Sequence, residues 1–509
     1  MSPLHPNINK AESFPDAATM LRYIREKKEA YWHRERERRP LELFHKAARY
    51  VPAYKDFLKK NGIRHPEKIR TFKDFQNVPP TSKKSYLRQY PLEKLCWDGS
   101  LQKPLVFTST SGSTGEPFYF ARSYSIDWQA AITHELFFAN SHESVQGPTL
   151  VVICFSMGVW IGGLITYQSF EIMRERGYPI SIIAPGINKQ EIFNALKKIA
   201  PLFAQTILIG YAPFLKDIID EAPSRGINVK PLHLRLIFAA EAFTEKFREY
   251  LAKKAGIEND MLDTMNIYGT ADIGAIAFES PLSILMRQIT MRKPRLFAEI
   301  FHHIQRTPTL AQYIPSFITF EEQQNELLVT GNNAVPLIRY AIGDHGGTFS
   351  VSDAVERFGN HATNIFKEAR AKGIQKFFYH LPFVYVYERI DLATTLYGLQ
   401  IYPETIREVL IENPMHRVLT GKITLITKFD RKQDQYLEIN LELRKGKKVS
   451  VAMRKIILAQ IVSNLRLKNS EFRELHNFLG NRALPKLVFW SAEHPLHFKP
   501  GIKQKWVKK

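Results

Sequence analysis

Thr149-Leu-Val-Val-Ile-Cys-Phe155 is the stretch on which the fold turns. It lies within residues 144–170, which carry no charged side chain, so a membrane span is a real alternative. The quoted segment is short, apolar and β-branched, as a buried strand should be. Ser156, Gly158, Gly162 and Gly163 interrupt the run before a helix-like stretch begins, and Gln146, Pro148 and Gln168 would sit in or near hydrocarbon. The expectation is a buried strand, a glycine turn and a buried helix, with no membrane span.

Outward from this strand, apolar segments alternate between strand-like and helix-like. Leu150–Phe155, Ile180–Ala184, Thr206–Ile209, Leu234–Ala239 and Glu326–Thr330 read as strands. Ile192–Ile199, Phe214–Ala222 and Glu245–Ala255 read as helices between them. Such alternation predicts a mainly parallel, helix-covered α/β architecture, with ligand sites in loops at the carboxyl ends of strands.

After about residue 388 the pattern changes. Pro403-Glu404 opens a helix that puts Ile406, Val409 and Leu410 on one face. Ile423–Ile426 and the alternating Leu437, Ile439, Leu441 and Leu443 predict a hairpin, followed by a helix over Val451–Leu467 and a strand at Leu487–Trp490. The expected organisation is an N-terminal domain over 1–387, with a helical insertion at about 350–386, and a smaller mobile α+β domain over 388–509.

Composition sets the outer limits. A chain of 509 residues, 44% hydrophobic and 24% charged, is globular and excludes disorder, collagen and coiled coil. Cys96 and Cys154 are its only cysteines, which excludes a disulfide scaffold and a Cys-rich metal site. Met1 to Phe14 contains no apolar core of signal-peptide length, so a reducing, cytoplasmic location is expected. The 71 basic and 50 acidic residues give a net charge of +21, an excess that attracts polyanions: nucleotides, coenzyme A, acidic carrier proteins, nucleic acid or anionic lipid. Arg22 to Arg39 mixes eight basic with four acidic residues, which reads as a solvated helix face rather than a nucleic-acid arm.

The strongest local signal is Thr108-Ser-Thr-Ser-Gly-Ser-Thr-Gly-Glu-Pro117. Six of its first seven residues carry hydroxyls, and Gly112 and Gly115 let backbone N–H groups approach a ligand, a combination that cradles phosphate oxygens. No Lys-Ser/Thr follows the second glycine, so it is not a Walker loop. Four segments follow in order: Phe238-Ala-Ala-Glu-Ala242, Asn266-Ile-Tyr-Gly-Thr-Ala-Asp272, Pro336-Leu-Ile-Arg-Tyr-Ala-Ile-Gly-Asp344, and Glu388-Arg-Ile-Asp391 with Tyr397-Gly-Leu-Gln-Ile-Tyr-Pro403.

Together these five segments resemble the core motifs of adenylate-forming enzymes, the acyl-CoA synthetase superfamily. The match is nearest to the phenylacetate–CoA ligase-like branch and its capsular-polysaccharide relatives, which share an opening like Leu43–Tyr54 and a segment like Pro79-Pro-Thr-Ser-Lys-Lys84. The resemblance runs from about residue 40 to the C-terminus. It implies ATP-dependent activation of a carboxylic acid to an acyl-adenylate, then acyl transfer to a thiol, with ATP, Mg²⁺ and coenzyme A as cofactors. An acyl carrier protein, an amine or a hydroxyl are the alternative acceptors. A non-catalytic nucleotide- or nucleic-acid-binding relative is the rival outside this chemistry.

By the same resemblance, Thr108, Ser111, Gly112, Ser113, Thr114 and Gly115 hold the β- and γ-phosphates. Tyr268, with Gly269, stacks on adenine; Asp344 accepts from both ribose hydroxyls; Arg389 contacts the nucleotide; and Asp391 marks the interdomain hinge. Glu241 either orients an adenine-side loop or caps the helix over Thr244–Lys254. Asp272 stands where the pattern has Glu, one methylene shorter, as the Mg²⁺ ligand. Ala271 lacks a hydroxyl that normally faces the acyl phosphate, and adjacent Thr270 is the candidate to supply it. Near the end, in Phe498-Lys-Pro-Gly-Ile-Lys-Gln-Lys-Trp506, Lys503 falls one residue beyond the position of the adenylation lysine, while Lys499 precedes Gly501. Lys503 is the expected one.

Overall fold

The computed structural model describes residues 15–508 apart from 110–117, 141–146, 156, 160, 241, 303–306, 388–393, 397–398, 413, 431–434, 500–503 and 505. Its centre is an eleven-stranded sheet. Ile180–Ile183, Thr149–Ile153, Gln205–Gly210, Leu234–Ala239 and Thr264–Thr270 lie side by side and parallel. The charge-free run forms that second strand and, after its glycines, the helix Ile161–Glu175, as expected. Among the described residues no helix is long and apolar enough to cross a membrane.

Alternate residues of one strand face two different cores. Leu150 and Val152 pack with helices Lys189–Lys198, Ala212–Glu221 and Glu245–Ala255. Val151 and Ile153 pack with Tyr124–Ala139 and with Trp32 and Met20 near the N-terminus. A parallel strand covered on both faces has no polar side, which is why these segments read as unbroken apolar runs.

The sheet is less parallel than the sequence predicts. From Thr264–Thr270 it continues through Gly274–Phe278, Thr309–Gln312, Phe383–Tyr387, Leu337–Phe349, Glu326–Gly331 and Ile318–Gln323, with antiparallel pairing throughout. The interval read as an insertion forms helices Val351–Asn360 and Ile365–Ala371, whose Phe358 and Ile365 pack on Phe349 and Phe383 of this half.

The C-terminal region forms its own four-stranded sheet, ordered Lys486–Trp490, Gln435–Leu443, Leu419–Phe429 and Val507–Lys508. Helices Pro403–Leu410 and Val451–Lys468 bury Ile406, Val409, Leu410, Ile457 and Ile461 against its Ile423, Leu425, Ile439 and Leu441. The α/β expectation of a large sheet domain followed by a smaller α+β domain is met.

Candidate active site

The site gathers where the sheet switches from parallel to antiparallel. Thr264–Thr270 pairs with Leu234–Ala239 on one side and, with a register shift at Tyr268–Gly269, folds back against Gly274–Phe278 on the other. The return depends on Gly274, at φ +93°, where a Cβ would come 2.8 Å from Ile126 and 3.0 Å from Ile165. Only glycine takes that turn without strain.

A buried ionic network fixes the start of this strand. Glu279 accepts the backbone N–H of Asn266 at 2.9 Å and hydrogen bonds from Arg248 at 2.7 Å and Arg287 at 3.0 Å. Glu245 faces both guanidinium groups, at 3.0 Å and 2.7 Å. Both arginines are fully buried. Removing one member of such a set leaves buried charge uncompensated, at a cost of about 3–5 kcal/mol. Glu279→Gln is therefore expected to lower the urea-unfolding free energy by about that amount. A loss under about 1 kcal/mol would show that the network does not hold the strand.

At the strand's end two sequence-predicted residues meet. Tyr268 Oη donates to Asp344 Oδ2 at 2.6 Å, and the Tyr268 ring lies nearly parallel to Phe320, 6.3 Å away. Asp344 follows Gly343, which turns the strand Leu337–Phe349 at φ +80°. Upstream, Arg339 has φ +44°, uncommon for a residue with a side chain, and is pinned by Glu321 at 3.2 Å and by the carbonyl of Val78.

Asp272 is buried and doubly engaged. Tyr340 Oη donates to its Oδ2 at 2.7 Å, and Lys83 Nζ lies 3.3 Å from its Oδ1. Lys83 arrives from the Pro79–Lys84 segment, which Thr81 stitches to the strand: Thr81 N donates to Arg339 O at 3.0 Å, and Ala341 N donates to Thr81 O at 2.8 Å. Neither Lys83 nor Tyr340 was assigned a role from sequence. Both lie inside quoted motifs, but the contact joins residues 83 and 272, a separation that no local pattern encodes.

Thr108 Oγ1 and Thr270 Oγ1 are buried hydroxyls with no hydrogen-bond partner among the described residues, as groups that serve a ligand would be. Ser111, Gly112, Ser113, Thr114, Gly115, Glu241, Arg389, Asp391 and Lys503 lie outside the described residues. Thr244 Oγ1 accepts from Phe247 N at 3.3 Å and caps Glu245–Ala255. Lys499 is exposed.

The C-terminal domain is seated on helix Ala212–Glu221 by ion pairs. Asp217 meets Lys422 at 2.6 Å, and Lys422 also faces Glu442 at 3.4 Å. Lys189 reaches Asp217 at 3.7 Å and Glu493 at 3.1 Å. Lys216 donates to Thr420 O at 2.9 Å and pairs with Asp220, which also takes Arg444 at 2.7 Å. Burial pushes the Asp220 carboxyl up, but Lys216 and Arg444 outweigh it and hold it at about 2, below its ordinary 3.8. A depressed carboxylate stabilises the fold above its unfolded value and loses that contribution as pH falls through its folded one. About 2 kcal/mol should thus disappear between about pH 4 and pH 2. Chemical denaturation across that window is expected to show this slope, and Asp220→Asn to flatten it; an unaltered slope in the variant would place the acid sensitivity elsewhere.

No family model and no curated protein matches the chain. Solved structures do. The chain is similar to 2-hydroxyisobutyryl-CoA ligase in the postadenylation state with 2-HIB-AMP, at 14% identity and TM-score 0.65, covering 98% of this chain and 94% of that one. The same ligase with R3-HIB-AMP gives 14% identity and TM-score 0.62 at the same coverage. In its thioesterification state, with 2-HIB-AMP and CoA, it gives 15% identity and TM-score 0.52, again over 98% and 94%. The chain thus has the fold of an adenylate-forming ligase along nearly its whole length.

Proposed function

We propose that the protein activates a carboxylic acid with ATP to an acyl-adenylate and pyrophosphate, then transfers the acyl group to the thiol of coenzyme A. The observation that carries this reading is the convergence of Tyr268, Asp344, Asp272 and Lys83 at the parallel-to-antiparallel switch, in a chain of this fold. The ligase it resembles was captured with an acyl-AMP and CoA.

In the adenylation step two anions meet, and catalysis rests on charge neutralisation and alignment. The unpartnered hydroxyls of Thr108 and Thr270 suit phosphate or acyl-phosphate oxygens, with Ser111, Gly112, Ser113, Thr114 and Gly115 completing the phosphate loop. Asp344 is the acceptor for the ribose hydroxyls, held in place by Tyr268 Oη, whose ring offers a face to adenine. Arg389 and Lys503 join from the C-terminal side, Lys503 as the cation between carboxylate and α-phosphate.

Asp272 fits Mg²⁺ poorly as a resident ion, because Lys83 and Tyr340 already engage both its oxygens. Among the described residues no three His, Cys, Asp or Glu side chains cluster as a metal site. A Mg²⁺ that arrives with the triphosphate takes most of its ligands from phosphate and water. Asp272 would join it only by releasing Lys83.

The finer placement we propose is the phenylacetate–CoA ligase-like branch, supported by the Leu43–Tyr54 and Pro79–Lys84 segments and by the position Lys83 takes beside Asp272. We place the domain boundary at 387/388. The seat on Ala212–Glu221 is the adenylation-side arrangement on this reading, since the chain superposes better on the postadenylation state than on the thioesterification state, 0.65 against 0.52.

The acceptor is tested by mass spectrometry of reactions containing ATP, Mg²⁺, a panel of acids, and either coenzyme A, a carrier protein or a simple amine. AMP together with an acyl-CoA is expected. An amide or a carrier-bound acyl group, with no acyl-CoA, would overturn the coenzyme A assignment.

A further inference from the structure

A second cavity, of about 870 Å³, lies at the base of the hairpin formed by Val106–Ser109 and Tyr119–Arg122. That volume falls within the range of small-molecule sites. Neither Tyr268, Thr270, Asp272, Asp344 nor Lys83 lines it, so it is distinct from the site described above. Leu43, Trp97, Leu105, Val106, Tyr124 and Phe317 supply apolar and aromatic wall. The wall is built rather than incidental: Trp97 Nε1 donates to Asn333 O at 2.8 Å, and Asn333 Oδ1 accepts from Ser123 N at 3.0 Å.

Two buried charges also line it. Arg122 and Asp127 are 2% and 3% exposed, and Nε of the one lies 3.1 Å from Oδ1 of the other. Yet among the described residues Arg122 Nε, Arg122 Nη1 and Asp127 Oδ1 have no hydrogen-bond partner. Buried ion pairs normally offset their desolvation through further hydrogen bonds. A guanidinium has five N–H donors and no acceptor, so in this pair the unused donors outnumber the unused acceptors. The missing partner is an oxygen acceptor. Burial also pushes the Asp127 carboxyl up to about 6, so it begins to lose its charge, and its hold on Arg122, only as pH falls toward that value. At the solvent edge Lys46 is exposed and makes no ion pair among the described residues, while Lys103 lies 3.6 Å from Asp98.

We propose that this cavity binds an amphipathic carboxylate, an acid with an aryl or alkyl body, its head on Arg122 and its body along Trp97, Val106 and Phe317. The pairing register sets its relation to the nucleotide loop: Val106 opposes Arg122, and two steps on Thr108, where the hydroxyl segment begins, opposes Phe120. At about 3.3 Å per residue the backbone opposite Arg122 lies about 7 Å from the start of that segment. Such a site reports the supply of acids without occupying the position where acid meets ATP, and it stands or falls independently of the adenylation reading.

The test titrates the full chain with decanoate and with phenylacetate, using 1-decanol and 2-phenylethanol as neutral counterparts, and follows heat and tryptophan fluorescence together. Saturable binding of at least one carboxylate is expected, with a fluorescence change lost in Trp97→Phe. Arg122→Met should weaken it by about tenfold or more, as the loss of a charged hydrogen-bond donor does. Val106→Trp should block it by filling the cavity, and keeps the test decisive if the Arg122 variant fails to fold; Val106 is 42% exposed. Three results would each overturn the proposal: no carboxylate binding, alcohols binding as tightly as the acids, or carboxylate binding unaltered in Val106→Trp and Trp97→Phe. The last would place the acid at the adenylation site instead.

Discussion

Asp344→Ala lowers carboxylate-dependent ATP–pyrophosphate exchange by at least about 100-fold. Each hydrogen bond to a charged acceptor contributes about 1.5–3 kcal/mol, and one carboxylate meeting two ribose hydroxyls carries two of them. The same substitution removes the 2.6 Å bond from Tyr268 Oη, which on the proposed reading also loosens the ring that faces adenine. Asp344 is only half-buried on its strand, and the circular dichroism spectrum should therefore be unaltered. Tyr268→Phe separates the two roles: it keeps the ring, removes a single neutral donor, and should cost only several-fold. An Asp344→Ala enzyme with an unaltered KM for ATP would contradict the ribose assignment.

Lys503→Ala is expected to slow the same exchange by about 100- to 1,000-fold. A cation between a carboxylate and the α-phosphate has a large effect only in a closed site where water screens it weakly. Ile502 cannot provide the charge, and Lys499 precedes Pro500, whose fixed φ separates it from the glycine turn. Thioester formation from a supplied acyl-adenylate should stay nearly intact if Lys503 serves adenylation alone. Crippling by Lys499→Ala in place of Lys503→Ala would show that the tail is misaligned.

Most of the parallel half of the sheet was legible because strands such as Thr149–Ile153 and Gln205–Gly210 are buried on both faces and so appear as mainly apolar runs. In the antiparallel half only Glu326–Thr330 was legible, as the strand Glu326–Gly331. Gly274–Phe278 is a short Gly-Ala-Ile-Ala-Phe segment, and Leu337–Phe349 contains three glycines and two charged or polar turns of chemistry that mask its pairing. The family resemblance singles out Tyr268, Asp272 and Asp344, but not the partners they meet in the fold. Lys83 beside Asp272, and Lys422 beside Asp217, are contacts between distant segments that no local pattern encodes. Burial is what makes them informative, and burial is a property of the fold.

The central claim is acid activation through an adenylate, and one measurement reaches it most directly. Labelled pyrophosphate is incubated with the protein, ATP and Mg²⁺, with and without each member of a broad panel of aromatic and aliphatic carboxylic acids, and its incorporation into ATP is counted. The account predicts exchange that depends on at least one acid and is lost in Asp344→Ala. Exchange with none of them, from a folded protein that still binds ATP, would contradict it.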